Sequence, residues 1–547
     1  MSDFLVTDVL VVGEGCAGQT AALTASESGC DVIMLGDGRA PSTAVSTGFL
    51  TYAAHEGFDR VHLYEAMSQT TGKGLCDPAL LRRLVDEAPK EMAELIEEYK
   101  VPVDKSERGV RARRATGKSG KELLAGLDAD YGTRGSLEDT TGLMMEFSST
   151  HGTALYAQLR KAVNTSPKIR RVRGSALELD PGSTTVGALI DGKPVTIAAR
   201  SIVLATGGIQ GLYEVTDNPR TLTGDGHGMA MDAGAELIDM EFMQFYPLSV
   251  SEEGAPTIFL YPDFPRRAKL INDKGENILV KHLGEGSEYL SELHNWDHLA
   301  AVVQTEIVDG KKVFVDFRET KSEDWAPDSL TGTFLGKCVP NFRTSPVQVA
   351  PSSHYTIGGL KVDVDGRTSL PKVYAAGELA GGVHGANRHG GTALVEAMTY
   401  GRIAGRHAAG SLNGAAASRG ASLLRPATKS GKASRIDGVM GELRRTNQLA
   451  LGPIRDGARL ERVGERFAEL MNEVRSFRWN SYGEMQEILR LERAIKLSDG
   501  MRQAMSRRTE TRGVHYRSDF PNSSDAWLRK QVFELRNGAF HFKDVAL

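Results

Sequence analysis

Apolar and polar positions change period several times along this chain, and each change marks an element. Residues 8–12 open on Asp8 and continue as an apolar, β-branched run, which predicts a strand buried on both faces of a parallel sheet. Residues 19–28 are alanine-rich and helix-prone, and residues 30–35 (CDVIML) supply the next strand. Further on, residues 77–99 and 151–163 carry helical periodicity, 186–199 reads as short meandering strands, and 201–208 as a buried strand ending at a threonine and two glycines. Residues 223–237 read as a turn followed by a helix, and 109–142 as polar, glycine-rich surface loops or a hairpin. Around Met240 the composition shifts to mixed aromatics, charges and short strands, and this continues to about Val349. Residues 411–432 are rich in Ala, Ser and Gly, as in a linker, and residues 439–506 are charged and helical in pattern.

Between the first strand and the first helix, Gly13-Glu14-Gly15-Cys16-Ala17-Gly18 fits G-x-G-x-x-G. In register with strand, helix and strand, this predicts a dinucleotide site. Gly13 permits the tight turn, Gly15 lets a pyrophosphate approach, and Gly18 lets the helix pack on the strand. Cys16 reads as a small packing residue in that loop. One element departs from the pattern. The acid expected to hold the adenosine ribose at the end of the second strand is replaced by Gly36, with Asp37 one residue later. Either Asp37 serves from a shifted register or backbone groups do.

A second glycine-dense segment spans residues 373–405 (VYAAGELAGGVHGANRHGGTALVEAMTYGRIAG). A strand-like run meets a turn carrying His384, Asn387, Arg388 and His389, and a helix-like run follows from about Thr392. Glycines at this density let backbone amides approach a ligand, and a helix N-terminus favours an anion. Arginine and asparagine in such a turn read as a carboxylate or phosphate clamp.

Composition narrows the field. The 547 residues suffice for three or four units, and 66 Lys+Arg against 70 Asp+Glu give a formal net charge of −4. Neither a nucleic-acid partner nor a polybasic membrane contact fits that balance. No apolar run is long enough to span a bilayer, and the chain enters its first strand without a charged-then-apolar leader, so a cytoplasmic protein is expected. The four cysteines (Cys16, Cys30, Cys76, Cys338) are scattered, which disfavours a disulfide framework, a structural zinc or an iron–sulfur cluster within the chain.

These motifs together resemble the flavoprotein family of succinate dehydrogenases, fumarate reductases and L-aspartate oxidases. The resemblance runs through GEGCAG, STAVSTG, LATGG, TGDGHGMAMDAGAEL, MEFMQFYP, HYTIGG, AAGELAGGVHGANRHGG and RRTETRGVHYRSDFP, nearly the whole chain. It implies an α/β fold: a Rossmann-like FAD-binding domain (1–239 and 351–410) with an inserted α+β capping domain (240–350), a linker (411–438) and a C-terminal helical domain (439–547). It further implies FAD contacts from Gly13, Gly15, Cys16, Ala17 and Gly18, from Asp37, and from Ser42, Thr43, Ser46, Thr47 and Gly48. Ala205, Thr206, Gly207, Gly208, Thr223, Asp225, Gly377, Glu378, Arg388, Ala393 and Leu394 complete that set. Respiratory members attach FAD through a histidine where this chain has Ser42, so noncovalent FAD is expected. The family transfers a hydride between flavin N5 and a carbon beside a carboxylate, paired with a proton transfer. His354 and Arg388 match its carboxylate-binding histidine and arginine. Arg512 and His515, in the C-terminal hallmark, are expected to brace domains.

The pattern then breaks in one direction. The family's second carboxylate-binding histidine falls on Tyr246, its threonine–glutamate pair on about Leu260 and Tyr261, and its proton-shuttling arginine on Trp296. An anionic substrate with an apolar or aromatic body is therefore expected in place of succinate. Tyr246, Tyr261, Arg266, Arg267, His294 and His298 are the candidate proton carriers; Arg267, Tyr246 and Trp296 join His354 and Arg388 as candidate catalytic residues. Two further readings stay open. One is an adenylylsulfate-reductase-like flavin subunit. The other is an electron-transfer flavoprotein working with an iron–sulfur or other electron-transfer subunit.

Overall fold

The computed structural model describes residues 3–46, 50–53, 58–100, 144–145, 151–261, 263–292, 296–326, 329–411 and 428–547. The expected loops at 109–142, most of the linker, and the cofactor-lining positions Thr47 and Gly48 lie outside them.

The aliphatic run of the opening strand, Asp3–Val12, is buried because parallel neighbours flank it: Val32–Gly36 on one side and Lys193–Leu204 on the other. Ile169–Asp180 extends the sheet beyond Val32–Gly36, and Val373–Ala375 extends it beyond Lys193–Leu204, both in parallel. Thr185–Ile190 pairs antiparallel with Ile169–Asp180 and Lys193–Leu204, which is the expected meander. The helices Cys16–Glu27 and Thr392–Gly410 pack against one another on this sheet, so the two glycine-rich segments, distant in sequence, meet at one end of it.

A second core lies between Leu248 and Val349. There a four-stranded antiparallel sheet, ordered Lys269–Asn272, Val313–Asp316, Val347–Thr356, Met243–Val250, buries Leu248, Leu270, Val303, Val315 and Val347 together. The long strand Val347–Thr356 leaves this sheet toward the first domain and carries His354 near its end.

Downstream, the helices Ile436–Ala450, Gly457–Arg475 and Tyr482–Arg507 form the expected helical unit. The chain then adds a hairpin, Arg529–Arg536 with Ala539–Ala546, which joins a five-stranded sheet through Leu237–Ile238. Hairpin residues Val532 and Phe533 are buried beside partly exposed Glu534, a stretch too short for its period to show within a charged tail. No helix among the described residues is long and apolar enough to cross a membrane.

Candidate active site

The first glycine motif is shaped by contact. Gly13 has φ +121°, and a Cβ there would collide with the Ala205 carbonyl; a Cβ at Gly18 would collide with the Gly13 carbonyl. At Gly15 the nearest atom to a built Cβ is Thr43 Oγ1 at 3.5 Å, so backbone is open to a ligand there. The Cys16–Glu27 helix begins at this loop without an acidic first turn. Cys16 N–H donates to Thr43 Oγ1 at 3.1 Å, and burial pushes the Cys16 thiol up to about 11, which makes it a packing residue. The Thr392–Gly410 helix begins at Gly391 (φ +75°) beside the second glycine segment, with Ala393 and Leu394 in its first turn.

Polar atoms in this region lack partners. Thr206 Oγ1, Gln210 Oε1, His384 Nδ1 and both carboxylate oxygens of Glu396 are buried without a hydrogen bond. Burial and the charge of Glu378 raise Glu396 to about 8. Burial also raises Glu378 to about 7, although its carboxylate accepts from Thr356 N–H at 2.7 Å and from Gln210. Open backbone at Gly15, two helix N-termini and orphaned donors and acceptors suit the pyrophosphate, ribityl and ring groups of FAD.

Other expected cofactor positions are engaged with protein. Ser42 donates to Asn218 Oδ1 at 2.7 Å, and Ser46 to the Thr43 carbonyl. Thr223 donates to Asp225, which also pairs with Arg490 of the C-terminal unit at 3.0 Å. The Asp37 carboxylate accepts from Arg39 N–H at 2.9 Å and pairs with the Arg39 side chain. The side chain standing over Gly36 is instead Glu14.

Arg388 is 9% exposed. Its Nε donates to Gln244 Oε1 at 3.1 Å, its Nη1 donates to the His389 carbonyl at 2.9 Å, and the guanidinium lies 4.8 Å over the Tyr355 ring. Among the described residues no carboxylate forms an ion pair with it, although Glu378 and Asp217 lie within electrostatic reach. Burial lowers its pKa, the sign of a desolvated cation short of a counter-charge. Gln244 also donates to Asn387 Oδ1 and so sets the clamp from the inserted unit's strand. His384 and His389 are neutral: burial first, then the Arg388 charge, brings each down to about 3.

His354 comes to the same region, since Glu378 lies within electrostatic reach of both His354 and Arg388. Its Nδ1 is 2.7 Å from Asp217 Oδ2, while its carbonyl accepts from Asn218 and Gln210. Nε2 makes no hydrogen bond to a described residue. Rings surround the imidazole: Tyr246 at 5.8 Å and Phe259 at 5.9 Å, with Tyr246 and Phe259 4.7 Å apart and Tyr261 5.1 Å beyond Phe259. Burial raises the Tyr246 phenol well above its ordinary value, so it stays protonated.

Phe259 and Asp217 were not legible as site residues. Leu260 is fully buried in the second core, while its neighbour Phe259, bridged to Ser249, stands against His354 and Tyr261 stands against Phe259. Arg267 is not brought to this group. It has φ +67° and pairs with Asp324 at 3.5 Å within the inserted unit. His298 stacks edge-on to Tyr516 at 5.4 Å, away from His354. Trp296 opens the helix Trp296–Val308, and its side chain, like His294, lies outside the described residues.

The fold and this cleft define an FAD-binding oxidoreductase. Residues 8–394 match the FAD binding domain family, and residues 440–546 match the fumarate reductase flavoprotein C-terminal family. The chain is 30% identical to one of the subunits of the CoM/CoB fumarate reductase of Methanothermobacter marburgensis, over 96% of this chain and 97% of that one. It is likewise 30% identical to the L-aspartate oxidase of Halobacterium salinarum, over 96% and 99% of the two chains. A solved E. coli quinol fumarate reductase shares the fold, with a TM-score of 0.80 at 20% identity over 100% of this chain and 97% of that one. The protein belongs to the fumarate reductase/succinate dehydrogenase flavoprotein family.

Proposed function

We propose that this flavoprotein oxidises or reduces an anionic, carboxylate-bearing substrate whose body is more apolar or aromatic than that of succinate. The observation that carries the reading is the buried guanidinium of Arg388, which forms no ion pair among the described residues, in the same region as a histidine walled by Tyr246 and Phe259. An unpaired cation taken out of water is costly unless an anion completes it, and a substrate carboxylate is the anion of matching geometry. The rings would cover the substrate body and exclude water. Bound FAD supplies two-electron chemistry by hydride exchange with a substrate carbon. His354 would move the accompanying proton: Asp217 accepts from Nδ1–H, which leaves the lone pair on Nε2. Ser42 offers no imidazole for attachment and is bonded to Asn218, in keeping with noncovalent FAD.

The test is a panel of acids titrated into the holoenzyme with a redox dye as partner: succinate and aspartate against aryl-propionates and aryl-acetates. Aryl acids are expected to perturb the flavin absorbance and turn over. Higher kcat/KM for succinate than for every aryl acid would refute the reading.

A second reading concerns partners. One relative is named as part of a multi-subunit enzyme, which supports an electron-transfer partner of the iron–sulfur type docking on this chain. Recovery of a cysteine-rich partner with a tagged copy from its native host supports that; full dye-independent activity of the isolated chain argues against it.

A further inference from the structure

We propose that Glu14, held by Arg171, is the acid that binds the adenosine ribose of FAD, a task moved from the end of the second strand into the glycine loop. In this class of site an acidic side chain at the end of the second strand reaches the ribose hydroxyls. Here that strand, Val32–Gly36, ends on glycine. A Cβ built at Gly36 would collide with Glu14 Cγ, and would stand 2.5 Å from Cδ and 2.8 Å from Oε2. The Glu14 carboxyl thus occupies the space that a side chain at position 36 would fill. The two positions exclude one another, and glycine at 36 is the complement of glutamate at 14.

The carboxyl is aimed and charged. Arg171, on the neighbouring strand Ile169–Asp180, donates from Nε and Nη2 to the same oxygen, Oε1, at 3.1 and 2.6 Å. Oε2 has no hydrogen-bond partner among the described residues. The side chain is 7% exposed, and its backbone carbonyl is fixed by Gln19 Nε2 at 2.9 Å. A carboxylate with one oxygen clamped and the other open, between Gly13 and Gly15, stands beside the loop that takes the pyrophosphate. That is where the adenosine half of a dinucleotide lies. The other nearby acid, Asp37, is spent on its own loop.

The test compares FAD with an analogue whose adenosine ribose lacks the 2′- and 3′-hydroxyls, each loaded into the purified holoenzyme by exchange, with release followed by flavin fluorescence. The wild type is expected to hold FAD about ten- to a hundredfold more tightly than the analogue, the size of a hydrogen bond to a charged group. In Glu14→Gln that ratio should fall to about one, with analogue binding unchanged. A wild-type ratio in E14Q, or equal weakening of both flavins, would overturn the proposal and leave Glu14–Arg171 as a structural ion pair. The double variant Glu14→Gly with Gly36→Glu returns the acid to the strand end and keeps the question open to refutation should E14Q purify without flavin. Recovery of the ratio supports one subsite served from either position; flavin bound with a ratio near one refutes it.

Discussion

Replacing Arg388 by methionine separates a ligand-binding guanidinium from a structural one. The wild-type side chain is desolvated, donates two hydrogen bonds to neutral acceptors and stacks on Tyr355. Those contacts contribute about 1 kcal/mol each, while an unpaired buried cation costs several kcal/mol. The two nearly cancel, so R388M should melt close to the wild type or slightly above it. Ligand binding is a different sum. Loss of a charge-assisted pair removes about 2–4 kcal/mol, roughly thirty- to a thousandfold in affinity. The assay is titration of the best aryl carboxylate into the holoenzyme, read by flavin absorbance, beside a melting curve of each protein. Affinity within about threefold of wild type would refute the assignment of Arg388 as the anion clamp. A steep fall in melting temperature at unchanged affinity would mark the residue as structural.

Other substitutions probe the remaining parts. Asp217→Asn should lower kcat by about 10²–10⁴ and displace the acidic limb of its pH profile, with little change in ligand affinity; an unchanged profile would remove His354 as proton carrier. Phe259→Ala should weaken aryl carboxylates by about 1–3 kcal/mol and leave succinate unaffected, checked by the ratio of kcat/KM values. Glu396 titrates at about 8 in the folded chain against 4.5 as an ordinary carboxyl, raised by burial and then by Glu378. Its folded value is the higher one, so its stabilising effect is complete below 4.5 and is lost as pH rises through 8. Glu396→Gln should therefore flatten the fall in melting temperature across that window, by about 1 kcal/mol per pH unit. Acid precipitation of the holoenzyme should leave all flavin in the supernatant; flavin retained in the pellet would contradict noncovalent binding.

What the chain disclosed in advance was governed by local constraint. Gly13, Gly15 and Gly18 were legible because a tight turn and close backbone approach dictate glycine there, whatever the rest of the fold does. Arg388 was legible because its turn is glycine-dense and lies beside a helix start. Asp217 was not, since 137 residues separate it from His354 and only the crossing of strand Val347–Thr356 brings them together. The exchange of Leu260 for Phe259 has a simpler cause. In this extended segment beside Met243–Val250 neighbouring side chains face opposite ways, and a motif counted back across a loop cannot fix that parity. Glu14 was hidden by being a variable position of a motif read for its glycines, and only the volume above Gly36 reveals it.

The C-terminal hallmark packs against the turn that carries Arg388. Gly513, at φ +55°, lies so close to Ala386 that a Cβ would strike the Ala386 carbonyl, and Val514 N–H donates to that same carbonyl at 3.1 Å. Arg512 ties the segment to Lys73 and Glu510, and His515 is bonded to buried Arg455. Ala386 stands two residues before Arg388. The turn that carries Arg388 is therefore braced by a segment more than a hundred residues downstream. A nascent chain can close its parallel sheet and its dinucleotide loop before the segment that braces the Arg388 turn has been made.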